Sequence, residues 1–351
     1  MHNWIRKAAL LFVAAVVALG LAPLGMACGG DDEEEGGATA TPAATEAASP
    51  EGAAEVSETP TPALTPEGIF VPLEEGLVPV EAGFADANGA RLYYEVYGEG
   101  EPLILIPGSP SSHLMWAPEV PGFAREFKVI VFDPRGIGQS SFPEGVQPTM
   151  ALMADDVAAL LDAIGVDTAH VYGISWGGMV AHEMALRHPE KTSSLILGAT
   201  TPGGLHSIPG ETWASAALSA YMTQGVEAPN VLEVFYSPAF VAEHRSEILE
   251  VFEALLDYPQ PPQEAVAAQI LTSMGHDTYD RLPNITAPTL VLHGADDPNI
   301  SAENGRILAE RIPGAELILL EGARHEYNGE RRAEVEAAVL EFLGAHPQEA
   351  E

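Results

Sequence analysis

Apolar residues along the chain change period several times, and each change marks an element. From residue 80 onward, Glu81 to Ala87 and Arg91 to Tyr97 flank Asn88-Gly89, the dipeptide that most strongly predicts a tight β-hairpin. Two short runs follow, Leu103–Ile106 and Val129–Phe132, apolar throughout and rich in β-branched residues. Such runs predict strands buried on both faces. Further strands are predicted at Ala169–Tyr172, Leu195–Leu197, Leu290–His293 and Leu317–Leu320. Between them the period lengthens. Met153, Val157, Leu160, Leu161 and Ile164 recur at helical spacing, and Gly165 closes that helix. A second helical run, Met179 to His188, stops before Pro189.

Strands alternating with helices predict an α/β architecture, a mostly parallel central sheet covered by helices on both sides. The alternation lapses between Gly203 and Tyr279, where Ala, Glu, Leu and Met dominate. Helical pieces such as Glu243–Leu256 and Glu264–Met274 make this a small helical cap inserted at 203–280 rather than a separate core. The core is then 79–202 and 281–345, with a tail at 346–351.

The first 78 residues have a different texture. Arg6 and Lys7 precede an apolar run from Ala8 to Leu24 and a small-residue exit, Gly25-Met26-Ala27. That is the layout of a secretory signal over 1–27. Cys28 comes next, before Gly29-Gly30 and a run of acids, as in a lipoprotein signal whose new N-terminal Cys carries the lipid. Plain secretion and an uncleaved anchor are the other readings; the run of about 17 residues is short for a membrane span. All three place the rest of the chain outside the cytoplasm. Residues 28–78 carry no Lys or Arg and consist largely of Ala, Thr, Pro, Glu and Gly, a composition expected to stay disordered as an acidic tether.

Composition narrows the function classes. A formal net charge of −36 over 351 residues, with lysines at 7, 128 and 191 alone, excludes a phosphate-binding surface for nucleic acid. The single cysteine permits no internal disulfide. No metal or cofactor site is expected, since the histidines at 113, 170, 182, 188, 206, 244 and 276 show no ligand spacing. Oligomeric state is not encoded in any pattern found.

The candidate chemistry lies at strand ends. Gly173-Ile174-Ser175-Trp176-Gly177 follows a predicted strand and opens a predicted helix. G-x-S-x-G alone arises by chance in roughly one chain in ten of this size, so the strand-to-helix context carries the argument. A nucleophile held in so tight a turn needs small neighbours on both sides. Serine also needs a base, and the base an orienting acid. After the strand at 290–293 come Asp296 and Asp297, and after the strand at 317–320 comes His325. Asp296 and Asp297 both qualify as the acid; His325 is preferred to His293, inside a strand, and to His346, in the tail. The oxyanion donors are expected to be the N–H of Trp176 and that of Ser109, between two prolines that have none.

From Phe84 to Leu343 the chain resembles the α/β-hydrolase superfamily. The resemblance rests on Gly108-x-Pro110, Asp133-Pro134-Arg135-Gly136-Ile137-Gly138-Gln139-Ser140, the Ser175 turn, Ala287-Pro288-Thr289-Leu290 leading to Asp297, and Gly322-x-x-His325. It implies a Ser-Asp-His order along the chain, with Asp297, three residues beyond Gly294, as the acid in preference to Asp296, and a bracing role for 133–140. Pro107 stands where most relatives have His. The run Gly108 to Trp116 is similar to that of haloalkane dehalogenases and epoxide hydrolases, whose nucleophile is Asp; Ser175 argues against those reactions. Ser175-Trp176-Gly177-Gly178 with His188-Pro189-Glu190 resembles proline iminopeptidases, but without their His-Gly-Gly-Pro-Gly loop. Thr200 to Gly204 and a modest cap resemble enol-lactonases and non-haem haloperoxidase-type hydrolases. The resemblance implies hydrolysis of a carboxylic ester or lactone of a small molecule, with an aminopeptidase as the alternative. A catalytically silent ligand-binding lipoprotein is the alternative of another class.

Overall fold

A computed structural model of the chain describes residues 62–65, 68–72 and 78–348. The expected signal at 1–27, the lipidation candidate Cys28 and most of the tether lie outside these residues. Within the stretch expected to be disordered, Pro62–Thr65 and Gly68–Pro72 pair as antiparallel strands. Ile69-Phe70-Val71 is a local patch of high β-propensity that the acidic composition of the tether as a whole conceals.

Eight strands form the central sheet: β1 (Glu81–Ala87), β2 (Ala90–Tyr97), β3 (Glu101–Ile106), β4 (Phe127–Phe132), β5 (Ala169–Ile174), β6 (Thr192–Gly198), β7 (Thr289–Gly294) and β8 (Glu316–Leu320). Their spatial order is β1-β2-β4-β3-β5-β6-β7-β8. The ladder from β4 to β8 is parallel, and β2 pairs antiparallel with both β1 and β4. The β1–β2 connection is the expected two-residue turn, with Ala87 opposite Ala90 and positive φ at Asn88 (46°) and Gly89 (80°).

Period-two alternation within each strand supplies two cores, one on each face. Ile104, Ile106, Ile130, Val171, Leu195 and Val291 face one side, where they meet helices α1 (Met150–Ala163), α2 (Trp176–Arg187) and α7 (Glu303–Arg311). Leu103, Leu105, Val129, Tyr172, Ile196 and Leu290 face the other, against Trp116, Phe123 and α9 (Arg332–Ala345). Truncating any of the fully buried β3 side chains to Ala is expected to cost about 2–5 kcal/mol. Helix α2 begins at Trp176, three residues before its expected start. Gly177 and Gly178 have poor helix propensity, but tertiary packing overrides it.

The inserted segment contributes α3 (Thr212–Gln224), α4 (Val231–Phe235), α5 (Pro238–Leu255) and α6 (Gln263–Met274), all between β6 and β7. It was not expected to form a core of its own, yet Leu218, Tyr221, Val231, Leu232, Val234 and Ile248 make an apolar cluster distinct from the two under the sheet. These residues come from three separate helices, so no single window of sequence reveals that they meet. Among the described residues no helix is long and apolar enough to cross a membrane.

Candidate active site

Register brings five strand ends to one edge of the sheet. Ile106 of β3 lies opposite Gly173 of β5, Ile174 opposite Gly198 of β6, and Gly294 of β7 opposite Leu320 of β8. The carboxyl ends of parallel strands are where α/β sheets place ligands. Ser109 follows β3, Ser175 follows β5 and Asp297 follows β7. His325 follows β8 and precedes α8 (Tyr327–Glu330).

Ser175 occupies the turn between β5 and α2 at φ 56°, ψ −120°, a conformation a serine adopts only when its surroundings hold it. The flanking glycines show what holds it. A Cβ on Gly173 would lie 2.2 Å from the Gly177 carbonyl oxygen, and one on Gly177 would lie 2.3 Å from that of Ile106. Only glycine fits either place.

His325 Nε2 is 3.2 Å from Ser175 Oγ, and His325 Nδ1 is 2.7 Å from Asp297 Oδ2. Asp297 Oδ1 accepts from the N–H groups of Asn299 (2.8 Å) and Ile300 (3.0 Å). His293 stands 3.4 Å from Oδ2 and is held by the Ile300 carbonyl at 2.8 Å, so it supports the acid rather than facing Ser175. Asp296 is exposed. Burial pushes Asp297 up, but the His325 charge and the bonds from both histidines outweigh it and hold the carboxyl well below its ordinary range. Burial pushes His325 down, and Asp297 more than reverses this, raising it.

The two expected oxyanion donors are both open. Trp176 is the first residue of α2, so its N–H has no carbonyl one turn earlier to bond. The Ser109 N–H has no partner among the described residues. Pro107, where the resemblance implies His, offers the loop no side-chain donor, and other contacts hold it. Gly108 N–H points at Met115 Sδ (3.2 Å), Ser111 N–H donates to the Gly108 carbonyl (2.9 Å), and Ser109 Oγ donates to Gln269 Oε1 of α6 (2.5 Å). His113 fixes the far end of the loop: its backbone N–H lies 3.0 Å and its Nδ1 2.7 Å from Asp133 Oδ1. The 133–140 stretch braces the site, as the resemblance implied. Arg135 makes a two-point ion pair with Asp156 of α1 (2.7 and 2.9 Å) and reaches the hairpin carbonyl of Asn88.

Several residues of the site escaped the sequence reading. Gln269 and Thr272, which accepts from Trp176 Nε1 at 3.0 Å, bind the cap to the catalytic loops. With Ala265, Val266 and Ser273 they form the buried stripe of α6, and polar residues on such a stripe were the available signal. Phe235, Tyr236 and Phe252 from the cap, with Met115 and Glu326, line a cleft of about 530 Å³, open to solvent, over Ser175. Glu326 adjoins His325 and Met115 lies in the run Gly108 to Trp116, but nothing in the local sequence of the three cap aromatics marks them. Among the described residues no cluster of His, Cys, Asp or Glu could hold a metal ion.

Comparison with known proteins agrees with this architecture. The sequence profile of the family described as alpha/beta hydrolase fold matches residues 101–331. The protein from Azorhizobium caulinodans that bears the name carbamate hydrolase RutD is 30% identical over 263 residues, which are 74% of this chain and 98% of that one. A pimeloyl-[acyl-carrier protein] methyl ester esterase from Aeromonas hydrophila is 29% identical over 66% of this chain and 91% of its own. The solved enol-lactonase from Burkholderia xenovorans superposes with a TM-score of 0.65 at 27% identity, covering 75% of this chain and all of that one. The chain belongs to the α/β-hydrolase family and is a hydrolase.

Proposed function

We propose that the chain is a serine hydrolase that cleaves a carboxylic ester or lactone of a small molecule through an acyl-enzyme. The observation that carries this reading is the continuous line from Ser175 Oγ to His325 (3.2 Å) and on to Asp297 (2.7 Å), beside two open N–H donors. His325 Nε2 takes the Ser175 proton as Oγ attacks the substrate carbonyl carbon. Asp297, kept ionised, holds the ring in the tautomer that presents Nε2 and stabilises the imidazolium. The tetrahedral oxyanion lies between the N–H groups of Ser109 and Trp176. His325 then protonates the departing alcohol oxygen, which in a lactone stays tethered to the acyl group. Water, deprotonated by the same histidine, releases the acid. A methyl ester esterase and an enol-lactonase among the similar proteins support an ester or lactone substrate, whereas the protein named carbamate hydrolase RutD, whose named substrate also carries a carbonyl–nitrogen bond, does not separate ester from amide. The complete triad and open donors weigh against a silent binding protein.

The test is a panel of p-nitrophenyl esters, lactones and proline arylamides offered to wild type and Ser175→Ala. Turnover of esters or lactones that vanishes in the variant is expected. Turnover confined to the arylamides would shift the reading to an aminopeptidase, and turnover retained by Ser175→Ala would remove Ser175 from it.

We further propose that the enzyme works outside the cytoplasm, tethered by lipid on Cys28. The support is the order of Arg6-Lys7, apolar run, small residues and Cys28, then an acidic stretch of about 50 residues without Lys or Arg. Radiolabelled palmitate should enter the wild-type chain and not Cys28→Ser; equal incorporation by both would refute the anchor.

A further inference from the structure

Asp297, Glu330, Glu119 and Glu326 are electrostatic neighbours, and three of the four are bonded. Asp297 accepts from His325 and from the N–H groups of Asn299 and Ile300. Glu330 Oε1 accepts from the N–H groups of Ser237 (2.9 Å) and Arg324 (3.0 Å), and Glu119 Oε1 from Asn328 Nδ2 (2.8 Å). Glu326 is the exception. Its backbone N–H is given to the Phe235 carbonyl (2.9 Å), but no described residue bonds its carboxylate. The side chain is half-buried and lines the cleft together with Ser175 and His325.

Water in the open cleft can solvate that carboxylate, but a substrate filling the cleft displaces the water. The carboxylate is then left unpaired unless the substrate brings a donor. No Lys or Arg lines the cleft, and the neighbouring acids repel a second anion. The other walls suit a cation as well: Phe235, Tyr236 and Phe252 present aromatic rings, whose faces attract an ammonium group. Burial pushes the Glu326 carboxyl above its ordinary value, with Asp297 and Glu330 adding to the rise and His325 opposing it. A bound ammonium would act in the same sense as His325 and favour the ionised form. The position of the ammonium along the substrate also follows. His325 must protonate the departing alcohol oxygen, so the alcohol portion of an ester lies on the wall that His325 shares with Glu326, Phe235 and Tyr236.

We propose that Glu326 is a specificity residue, selecting esters whose alcohol portion carries a protonated amine over neutral and anionic ones. This rests on the serine-hydrolase reading above. The experiment compares 2-(dimethylamino)ethyl butyrate with its uncharged isostere, 3-methylbutyl butyrate, at neutral pH. The full chain, Glu326→Gln and Glu326→Ala are each assayed for kcat/KM and for fluorophosphonate labelling of Ser175, which reports a folded site. Wild type is expected to favour the amine ester about tenfold, the worth of one charge-assisted hydrogen bond. In whichever variant labels, the ratio should fall toward one, chiefly through KM. A wild-type ratio near one, or a preference that survives in a labelled variant, overturns the proposal and leaves the hydrolase reading standing. Absence of both turnover and labelling in wild type would remove the hydrolase reading itself.

Discussion

Two buried histidine–aspartate pairs lie near the loop that carries Ser109, and on one side of the ring they are alike. His325 and His113 each place Nδ1 2.7 Å from a carboxylate, Asp297 and Asp133 respectively. In both, burial pushes the histidine down and the aspartate more than reverses it. They differ at Nε2. That of His325 faces Ser175 Oγ on the floor of an open cleft. That of His113 stands 3.5 Å from Glu95 Oε2, with Tyr93 and Tyr258 packed round the ring. Tyr93 and Tyr97 donate to Glu95, and Tyr258 donates to Asp133 at 2.7 Å. A buried His–Asp pair is therefore not catalytic in itself. It becomes so where Nε2 meets a nucleophile within reach of open N–H donors, and otherwise it is a fastening.

The largest effect that separates the pairs is expected from their aspartates. Asp297→Asn should lower kcat by about 10⁴, because the amide imposes the wrong tautomer on His325. Asp133→Asn should act on stability instead, by about 3–5 kcal/mol in denaturant unfolding, since it strips the partner from a buried charged group. Folded Asp133→Asn should keep kcat within about tenfold, the worth of a slackened loop. Equal losses of kcat in the two variants would erase the distinction. A smaller effect is expected at Gln269→Ala, which frees Ser109 Oγ; kcat should fall about tenfold with little change in KM.

The convergence of Ser175, Asp297 and His325 was legible because parallel sheets put chain order and spatial order in correspondence. Once β5, β7 and β8 are recognised, the residues just after them must converge, and Ser175, Asp297 and His325 do. Ser109 was chosen by elimination, since Pro107 and Pro110 lack an N–H, and its own N–H has no partner among the described residues. The cap obeys no such rule. Phe252 reaches the cleft and Gln269 reaches Ser109 through helix packing between segments distant in sequence, and His113 meets Asp133 across 20 residues of loop and strand. His182 and His276 likewise showed no ligand spacing. Their rings lie 3.3 Å apart at the nearest nitrogens, with Thr278 Oγ1 3.0 Å from His182 Nδ1.

That pair gives the most subtle contrast with the triad, through pH. Protonation of His325 removes the base, so kcat/KM should rise with pH through a midpoint above the ordinary histidine value, Asp297 having raised it. His276 is shifted the other way, down to about 3, by burial and then by Arg281. Between that value and 6.5 the unfolded chain binds a proton that the folded chain refuses. The contribution of His276 to stability is therefore complete above about pH 6.5 and is lost as pH falls toward 3. Thermal unfolding at pH 7.5 and 5.0 should show a smaller drop for His276→Asn than for wild type. An equal drop would mean that other groups carry the acid sensitivity.

The arming of Ser175 is tested most directly by mapping the adduct of a fluorophosphonate probe by peptide mass spectrometry. Labelling confined to Ser175, slowed by orders of magnitude in Asp297→Asn and near wild-type rate in folded Asp133→Asn, is the predicted result. An adduct on another residue, or one that forms as fast in Asp297→Asn as in wild type, would contradict it.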